Sequence, residues 1–582
     1  MSEKTESNFI NRLGCAPIVV GVTGHRDIPD ADNAVLETAT RSVLTKIAGL
    51  TPNSPRVLIS CLAEGADRIA AYCALEMGWM LGVILPSPVE VYERDFEGFG
   101  SKEEFHELLC KATWVEVVPS LANSVSDYFG AGVRLMQQSQ QLIAYWDGKS
   151  TGLAGGTSDV VERFTSEIPH AGRGMSSNTI PDARPVIHVV TRRHGDLGFI
   201  SQEKVGRITF IAPHPQGMSG EGELERWSEV VERIDVFNKD AMVLIKSDPS
   251  ALACSKSYLK GGGAAATSVR LLLAEPSKSM FAIADALSQQ AQKTRGQIFF
   301  VIGALAALAI VLQQLFSGPF PSPQLLWGAV VAIVLAALAY KWEKKERLES
   351  RYLDYRSLAE ACRVQYYWKL AGIDASVADY FLSDQRDELE WIRQALRTNE
   401  LSVDVGELEK ETDLSSLESI RLNWIEDQRH YFMGTKGKGG GNNAKKNNDQ
   451  SKVWSSWAAV FFWLGVGLLI VFTISQPLLT NSSPESAHSL SEWFDVAYGL
   501  LFSAAGIIKV YQEVKAFSEH SNSYRKSGLL MQRASQRLEG AIKANSPDAA
   551  VSIIVEIGLE ALDENGDWLV LHRDRPVEVP LG

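Results

Sequence analysis

Three short segments carry residues that could hold an anionic or hydroxylated ligand. In GVTGHRDI, residues 21–28, an apolar run ends at Thr23 and Gly24. Gly24 permits a tight turn, and His25 and Arg26 offer donors to an anion. In SCLAEGADRIAA, residues 60–71, Gly65 opens a helix whose first turn holds Asp67, with Glu64 just ahead of it. In YWDGKSTGLAGGTSDVVERF, residues 145–164, Gly155, Gly156 and Thr157 stand at a helix start. Small residues there let a phosphate or ribose approach the backbone N–H groups and the positive helix end. Each segment also has a plainer reading. His25 and Arg26 could form surface ion pairs, Glu64 and Asp67 could complement a helix dipole, and Thr157 could cap a helix behind two loop glycines. A GxGxxG run is absent, so the ordinary NAD fingerprint is missing. Cys15, Cys61, Cys73, Cys110, Cys254 and Cys362 form no CxxC pair and have no His partner at metal spacing, which argues against a zinc site or a disulfide framework.

These segments gain meaning from the elements that must position them. Apolar runs at 18–22, 57–60, 81–85, 114–118, 142–146 and 186–190 read as strands. Helical patterns fill the gaps at 34–48, 66–77, 102–112, 128–140 and 158–165. Such alternation predicts an α/β, Rossmann-like domain with a mostly parallel sheet, and ligands in that architecture bind beyond the carboxyl ends of the strands. The three segments would then converge on one edge of the sheet.

The whole chain is larger than this domain. Its 582 residues suggest about three or four folding units. A net charge of −13 would repel a polyanion, so nucleic acid is not expected as a partner. The opening MSEKTESNFINR has no apolar core of the secretory type, so insertion into a membrane is expected to use internal segments. Four apolar runs follow, at 298–316, 325–340, 457–474 and 496–508. A bilayer core of about 30 Å takes about 20 helical residues, so the first and third runs fit, whereas the second and fourth are short enough to be buried helices. Pairing favours two transmembrane hairpins. Lys293, Arg295, Lys341, Lys344, Lys345 and Arg347 flank the first; Lys436, Lys438, Lys445, Lys446, Lys452, Lys509 and Lys515 flank the second. The loops inside the hairpins carry no Lys or Arg, which predicts cytoplasmic ends. Trp327, Trp342, Trp454, Trp457 and Trp493 lie near run ends, as in an interfacial belt. Each hairpin leads into a long helical stretch containing Tyr-Arg, at Tyr355-Arg356 and Tyr524-Arg525, so the hairpins read as repeats. GTKGKGGGNNAKKNND, between them, reads as a flexible linker.

TGHRD, SCLAEGAD and IAYWDGK followed by GGT resemble the SLOG superfamily, the Rossmann-like nucleotide-binding domains related to LOG phosphoribohydrolases and to DprA. The likeness covers about residues 16–195. Tyr355-Arg356, Ala359-Glu360 and the terminal ENGDWLVLHRDRP look like the SLATT class of membrane modules that accompany such domains in bacterial conflict systems. What the resemblance implies is a sensor fused to an effector. Its ligand-facing positions would be Thr23, Gly24, His25, Arg26, Glu64, Gly65, Asp67, Gly155, Gly156 and Thr157, and the ligand a nucleotide or ADP-ribose-derived signal, with no resident cofactor and no metal. The LOG enzymes have PGGxGT and a catalytic Glu three positions beyond the Thr. Here Ala154 replaces the Pro, the motif is contracted, position 160 is Val160, and Glu162 is out of register. Binding without turnover is therefore expected.

The implied organisation is a polar tail (1–15), a SLOG-like domain (16–199), a helical extension (200–290), a first two-helix membrane module (291–400), a linking segment (401–452) and a second membrane module with its tail (453–582). The implied function is a homo-oligomeric effector of a bacterial antiphage system. It would permeabilise the inner membrane from a multi-pass position with both termini cytoplasmic. A membrane-anchored N-glycosidic hydrolase and a transporter or constitutive channel are the competing readings. The latter would usually place ionisable residues within its spans, where only Gln313, Gln314 and the marginal Asp495 come near.

Overall fold

Between residues 16 and 211 the alternation of apolar runs and helices builds one seven-stranded sheet in the structure, a computed structural model. It describes residues 14–118, 127–166, 183–213, 220–261, 268–380, 386–398, 414–435, 439–482 and 484–573. The strands are β1 (Ile18–Gly24), β2 (Arg56–Ser60), β3 (Met80–Leu85), β4 (Trp114–Val117), β5 (Gln141–Trp146), β6 (Val186–Val190) and β7 (Ile208–Ile211), in the order β4-β3-β2-β1-β5-β6-β7. All neighbours are parallel except β6 and β7. The helices between them are α1 (Asn33–Leu50), α2 (Ala66–Glu76), α3 (Phe99–Lys111), α4 (Asp127–Gln138) and α5 (Thr157–Ser166).

Strand residues alternate between two cores, because successive side chains point to opposite faces. Val20, Leu58, Leu81 and Val83 pack with Leu36, Val43, Ala70 and Phe105 from α1, α2 and α3. Val19, Val57, Ile59 and Ile84 pack with Leu135, Met136, Val160 and Phe164 from α4 and α5. Burial on both faces is why these strands read as continuous apolar runs. The antiparallel β7 was not expected: its four residues are half-buried or exposed at the sheet edge and leave little signal.

The chain forms two compact units, the first comprising Met1–Ala286, Arg356–Leu417 and Ile554–Trp568 and the second Leu287–Tyr355, Glu418–Ile553 and Leu569–Gly582. The first unit thus takes in stretches that the sequence reading had grouped with the membrane modules. The reason is aromatic burial: Tyr366, Tyr367 and Trp368 are almost wholly enclosed. A Cβ on Gly558 would lie 2.3 Å from Trp368 Nε1, so this glycine permits the contact. Asn565, from the ENGDW motif, donates to the Ser357 carbonyl at 3.1 Å. Arg356 reaches Asp285 at 3.4 Å and Glu360 at 2.5 Å, so the second group of motif residues is engaged in structural contacts. Within the helical extension, residues 223–245 lie in α6 (Gly220–Ser247), and most of the glycine-rich stretch 261–268 lies outside the described residues.

Among the described residues, four helices are long and apolar enough to cross a membrane, and only 11% of the most apolar window of each is buried. That exposure disposes of the buried-helix reading of the two shorter runs. They lie in α7 (Ser268–Ser317), α8 (Pro323–Lys345), α10 (Asn443–Ser482) and α11 (Pro484–Lys515), with α9 (Leu348–Leu370) following α8 and α12 (Phe517–Lys543) following α11. Both α10 and α11 extend beyond the expected runs. Residues 443–449, expected within the flexible linker, form the first turns of α10, and residues 436–438 lie outside the description.

The repeat noticed in the sequence has a structural counterpart within the second unit. Arg347 (φ +49°) breaks α8 from α9, and Ala516 (φ +44°) breaks α11 from α12. Each lies eight residues before its Tyr-Arg pair. Ser288 donates to the Tyr352 carbonyl at 3.2 Å, and Ser521, the residue equivalent to Tyr352, donates to the Ala444 carbonyl at 2.8 Å. Glu343 pairs with Arg295 at 3.5 Å, and its equivalent Gln512 donates to the Ser451 carbonyl at 2.8 Å and to Ser455 at 3.0 Å. The second copy thus keeps the contact and drops the charge. Ala309, Ala329 and Ala332 allow close packing inside the first hairpin, and Gly465 faces Phe502 in the second.

Candidate functional site

The strand order reverses between β1 and β5, so the carboxyl ends of these two strands flank a crevice of the kind that takes ligands in open α/β sheets. The three segments that could do chemistry leave the sheet at this edge. Two glycines let them interlock. A Cβ on Gly24 would fall 2.4 Å from Ala66 Cβ and 2.8 Å from Tyr145 Cβ. Gly65 has φ +79°, and a Cβ there would lie 2.5 and 2.6 Å from the Arg26 and His25 carbonyl oxygens. Backbone hydrogen bonds complete the joint: Ala66 donates to the His25 carbonyl and His25 to the Tyr145 carbonyl, each at 3.2 Å.

His25 is 4% exposed and closed within the protein. Its Nδ1 lies 3.1 Å from Arg193 Nη2, while its Nε2 accepts from the Asp147 backbone N–H at 3.1 Å, with Arg193 Nε at 3.4 Å and Asp147 Oδ1 at 3.2 Å. Burial and the nearby Arg193 charge lower the pKa of His25, favouring the neutral ring. His25, expected to face a ligand, has both ring nitrogens engaged by Arg193 and Asp147. Thr23 and Gly24 are half-buried at the strand end.

Arg26, the next residue, points the other way and is exposed, its guanidinium 5.4 Å from the Tyr128 ring centre. Below it lies Asp67, 4% exposed, which accepts from Ser60 Oγ at 3.2 Å and from the backbone N–H groups of Cys61 and Ala63. Burial outweighs those hydrogen bonds and the Arg26 charge, and pushes the Asp67 pKa up to about 6. The same surroundings push the Cys61 thiol and the Tyr92 hydroxyl upward, chiefly by burial. Glu64 turns towards α3, accepting from Glu97 N at 3.2 Å and from Ser101 Oγ.

At the third segment, Gly155 (φ +76°) sits against α4, where a Cβ would come 2.7 Å from Phe129 N and 2.8 Å from the Tyr128 carbonyl carbon. Its N–H donates to Asp159 Oδ2 at 2.9 Å, and Gly156 N–H donates to the Leu153 carbonyl at 3.0 Å. Thr157 begins α5. The two glycine N–H groups therefore have partners inside their own loop, and a phosphate there would have to displace them. Tyr128 joins this segment to the others, with its ring under Arg26 and its backbone on Gly155.

Gly24, His25, Arg26, Gly65 and Asp67 form one contiguous group; Gly155, Gly156 and Thr157 adjoin it through Tyr128, and Glu64 is directed elsewhere. Sequence reasoning missed Ser60, Tyr128, Asp147 and Arg193 as members. A signal for the last was present: TRRH directly follows the sixth strand, at the edge where ligands bind. Val160, at the position of the LOG catalytic glutamate, is buried, and Glu162 is exposed. Among the described residues no group of His, Cys, Asp and Glu could hold a metal ion.

No family model and no curated protein matches the chain. Fold and site define a class: a Rossmann-like α/β unit with a polar switch-point crevice, in one chain with four helices long and apolar enough to cross a membrane.

Proposed function

We propose that this protein is a nucleotide-gated membrane effector of a bacterial defence system. Its SLOG-like crevice binds a nucleotide or ADP-ribose-derived signal, and its hairpins then assemble and permeabilise the inner membrane. One observation carries this reading: three glycine-bearing loops with Arg26, Asp67 and Tyr128 meet at the switch point of a chain that also has four exposed apolar helices. A buried valine at the place of the LOG catalytic glutamate supports binding without turnover. A ligand can drive assembly only to the extent that it binds the assembled state more tightly.

The test uses full-length protein in dye-filled liposomes and a panel of nucleotide second messengers and ADP-ribose derivatives. The compound that raises the melting temperature is expected to release dye, and Gly156→Glu to abolish both effects, because a carboxylate would stand where an anion meets the helix start. Equal release with and without the compound overturns gating; turnover without release favours the anchored hydrolase.

Orientation has its own test. In a background lacking the exposed thiols Cys110 and Cys254, an impermeant maleimide applied to intact cells should label Ser322→Cys, between α7 and α8, and spare Gly439→Cys, where a side chain meets open space. The opposite pattern reverses the topology.

A further inference from the structure

We propose that Arg193 takes a phosphoryl group of the ligand at the switch point, and that Asp147 holds the guanidinium in place until that group arrives. The inference rests on the reading of the crevice as a ligand site, and it adds an anion position that none of the three sequence motifs contains.

The argument begins with two neighbouring arginines that are used differently. Arg192 forms a fork on Asp32, with Nε 2.9 Å from Oδ2 and Nη2 2.7 Å from Oδ1. Asp32 is 1% exposed, so this pair is a closed anchor that ties the loop after β6 to the start of α1. Arg193 makes no such fork. Its nearest approach to Asp147 is Nε to Oδ2 at 3.5 Å, and its closer contact, 3.1 Å, is to the neutral His25 ring. Asp147 Oδ1 is meanwhile occupied by the Lys149 backbone N–H at 2.9 Å and by His25. A guanidinium has five N–H donors in a planar fork suited to two oxygens of one anion. Arg193 offers that fork at the crevice, with about a third of its side chain exposed, and spends it on the His25 ring and one loose carboxylate contact.

The loop is held so that the fork stays at the crevice. His194 N–H donates to the Asp27 carbonyl at 2.8 Å, from the segment that carries His25 and Arg26. Lys149 pairs with Asp196, and its ammonium lies 3.8 Å from the Phe199 ring centre, which fastens the β5 loop to the same stretch. Lys149 is thereby committed, so among the described residues Arg193 is the cation that the β1–β5 side of the crevice offers. Arg26 lies elsewhere in the crevice, its guanidinium 5.4 Å from the Tyr128 ring centre. An incoming phosphoryl group would exchange for Asp147 on Arg193, with no covalent step.

Isothermal titration of full-length protein in detergent with AMP, ADP-ribose and inorganic pyrophosphate tests this. For each probe that binds, Arg193→Ala is expected to weaken affinity by about ten- to a hundredfold, the range for a lost hydrogen bond to a charged group. Arg193→Lys should recover part of the loss, and adenosine, which has no phosphate, should be unaffected. Asp147→Asn should tighten the phosphate-bearing probes, because it removes the competing charge; a tightening cannot come from a damaged fold. Unchanged affinity in Arg193→Ala, or weakening in Asp147→Asn, overturns the inference and leaves the crevice reading standing. Failure of all three probes to bind the wild type overturns both.

Discussion

Gly65→Ala is expected to cost the α/β unit about 3 kcal/mol or more, the range for a strained backbone combined with overlap in a packed core. Two effects add. The φ of +79° is unfavourable for any residue with a Cβ, and this Cβ would stand 2.5 and 2.6 Å from two carbonyl oxygens in the loop that carries His25 and Arg26. Backbone oxygens cannot swing aside as the end of a side chain can. The loop must therefore move, breaking the hydrogen bond from Ala66 to the His25 carbonyl. Gly78→Ala is the control: its φ is +75°, but a Cβ there meets open space, so only the conformational cost of about 1 kcal/mol applies. Thermal unfolding followed by tryptophan fluorescence should separate the two variants. Equal losses would mean that the contact between the loops is not tight.

Asp67→Asn should act in the opposite direction and raise stability by about 1–3 kcal/mol at pH 7.5. The carboxyl has a folded pKa of about 6 against the ordinary carboxylate value of 3.8, so the folded protein holds a proton that the unfolded chain has released between those values. Stability associated with Asp67 is complete below the unfolded pKa and is lost as pH rises through about 6. The amide carries no charge, so the advantage of the variant should grow from pH 4 to pH 6 and then level off. Melting temperatures of both proteins across that range measure it; a difference that is independent of pH would mean that Asp67 is not held against its charge.

Much of this molecule is legible along the chain because its signals are local. Six strands stand out as apolar runs, since each is buried on both faces, and the hairpins stand out because lipid-facing helices need length and basic flanks. The break before each Tyr-Arg pair is less visible: Arg347 and Ala516 are not residues that announce a left-handed turn. The membership of residues 356–370 in the first unit is also not local, because burial of Trp368 depends on Gly558 arriving from the far end of the chain.

The candidate site divides in the same way. The residue types that make the loops, namely Gly24, Gly65, Gly155, Arg26 and Asp67, are written in the sequence, where a glycine at a strand end and a charge at a helix start have meaning by themselves. Which of them lie together, and what each one touches, was decided only by tertiary structure. His25 and Asp147 are 122 positions apart, and His25 and Arg193 are 168, yet these contacts engage both ring nitrogens of His25 and bring in an arginine that no motif contained. The parallel sheet is the physical reason: it sets the carboxyl ends of β1, β5 and β6 side by side, so that residues distant in the chain share one crevice whose charges settle one another's protonation and direction.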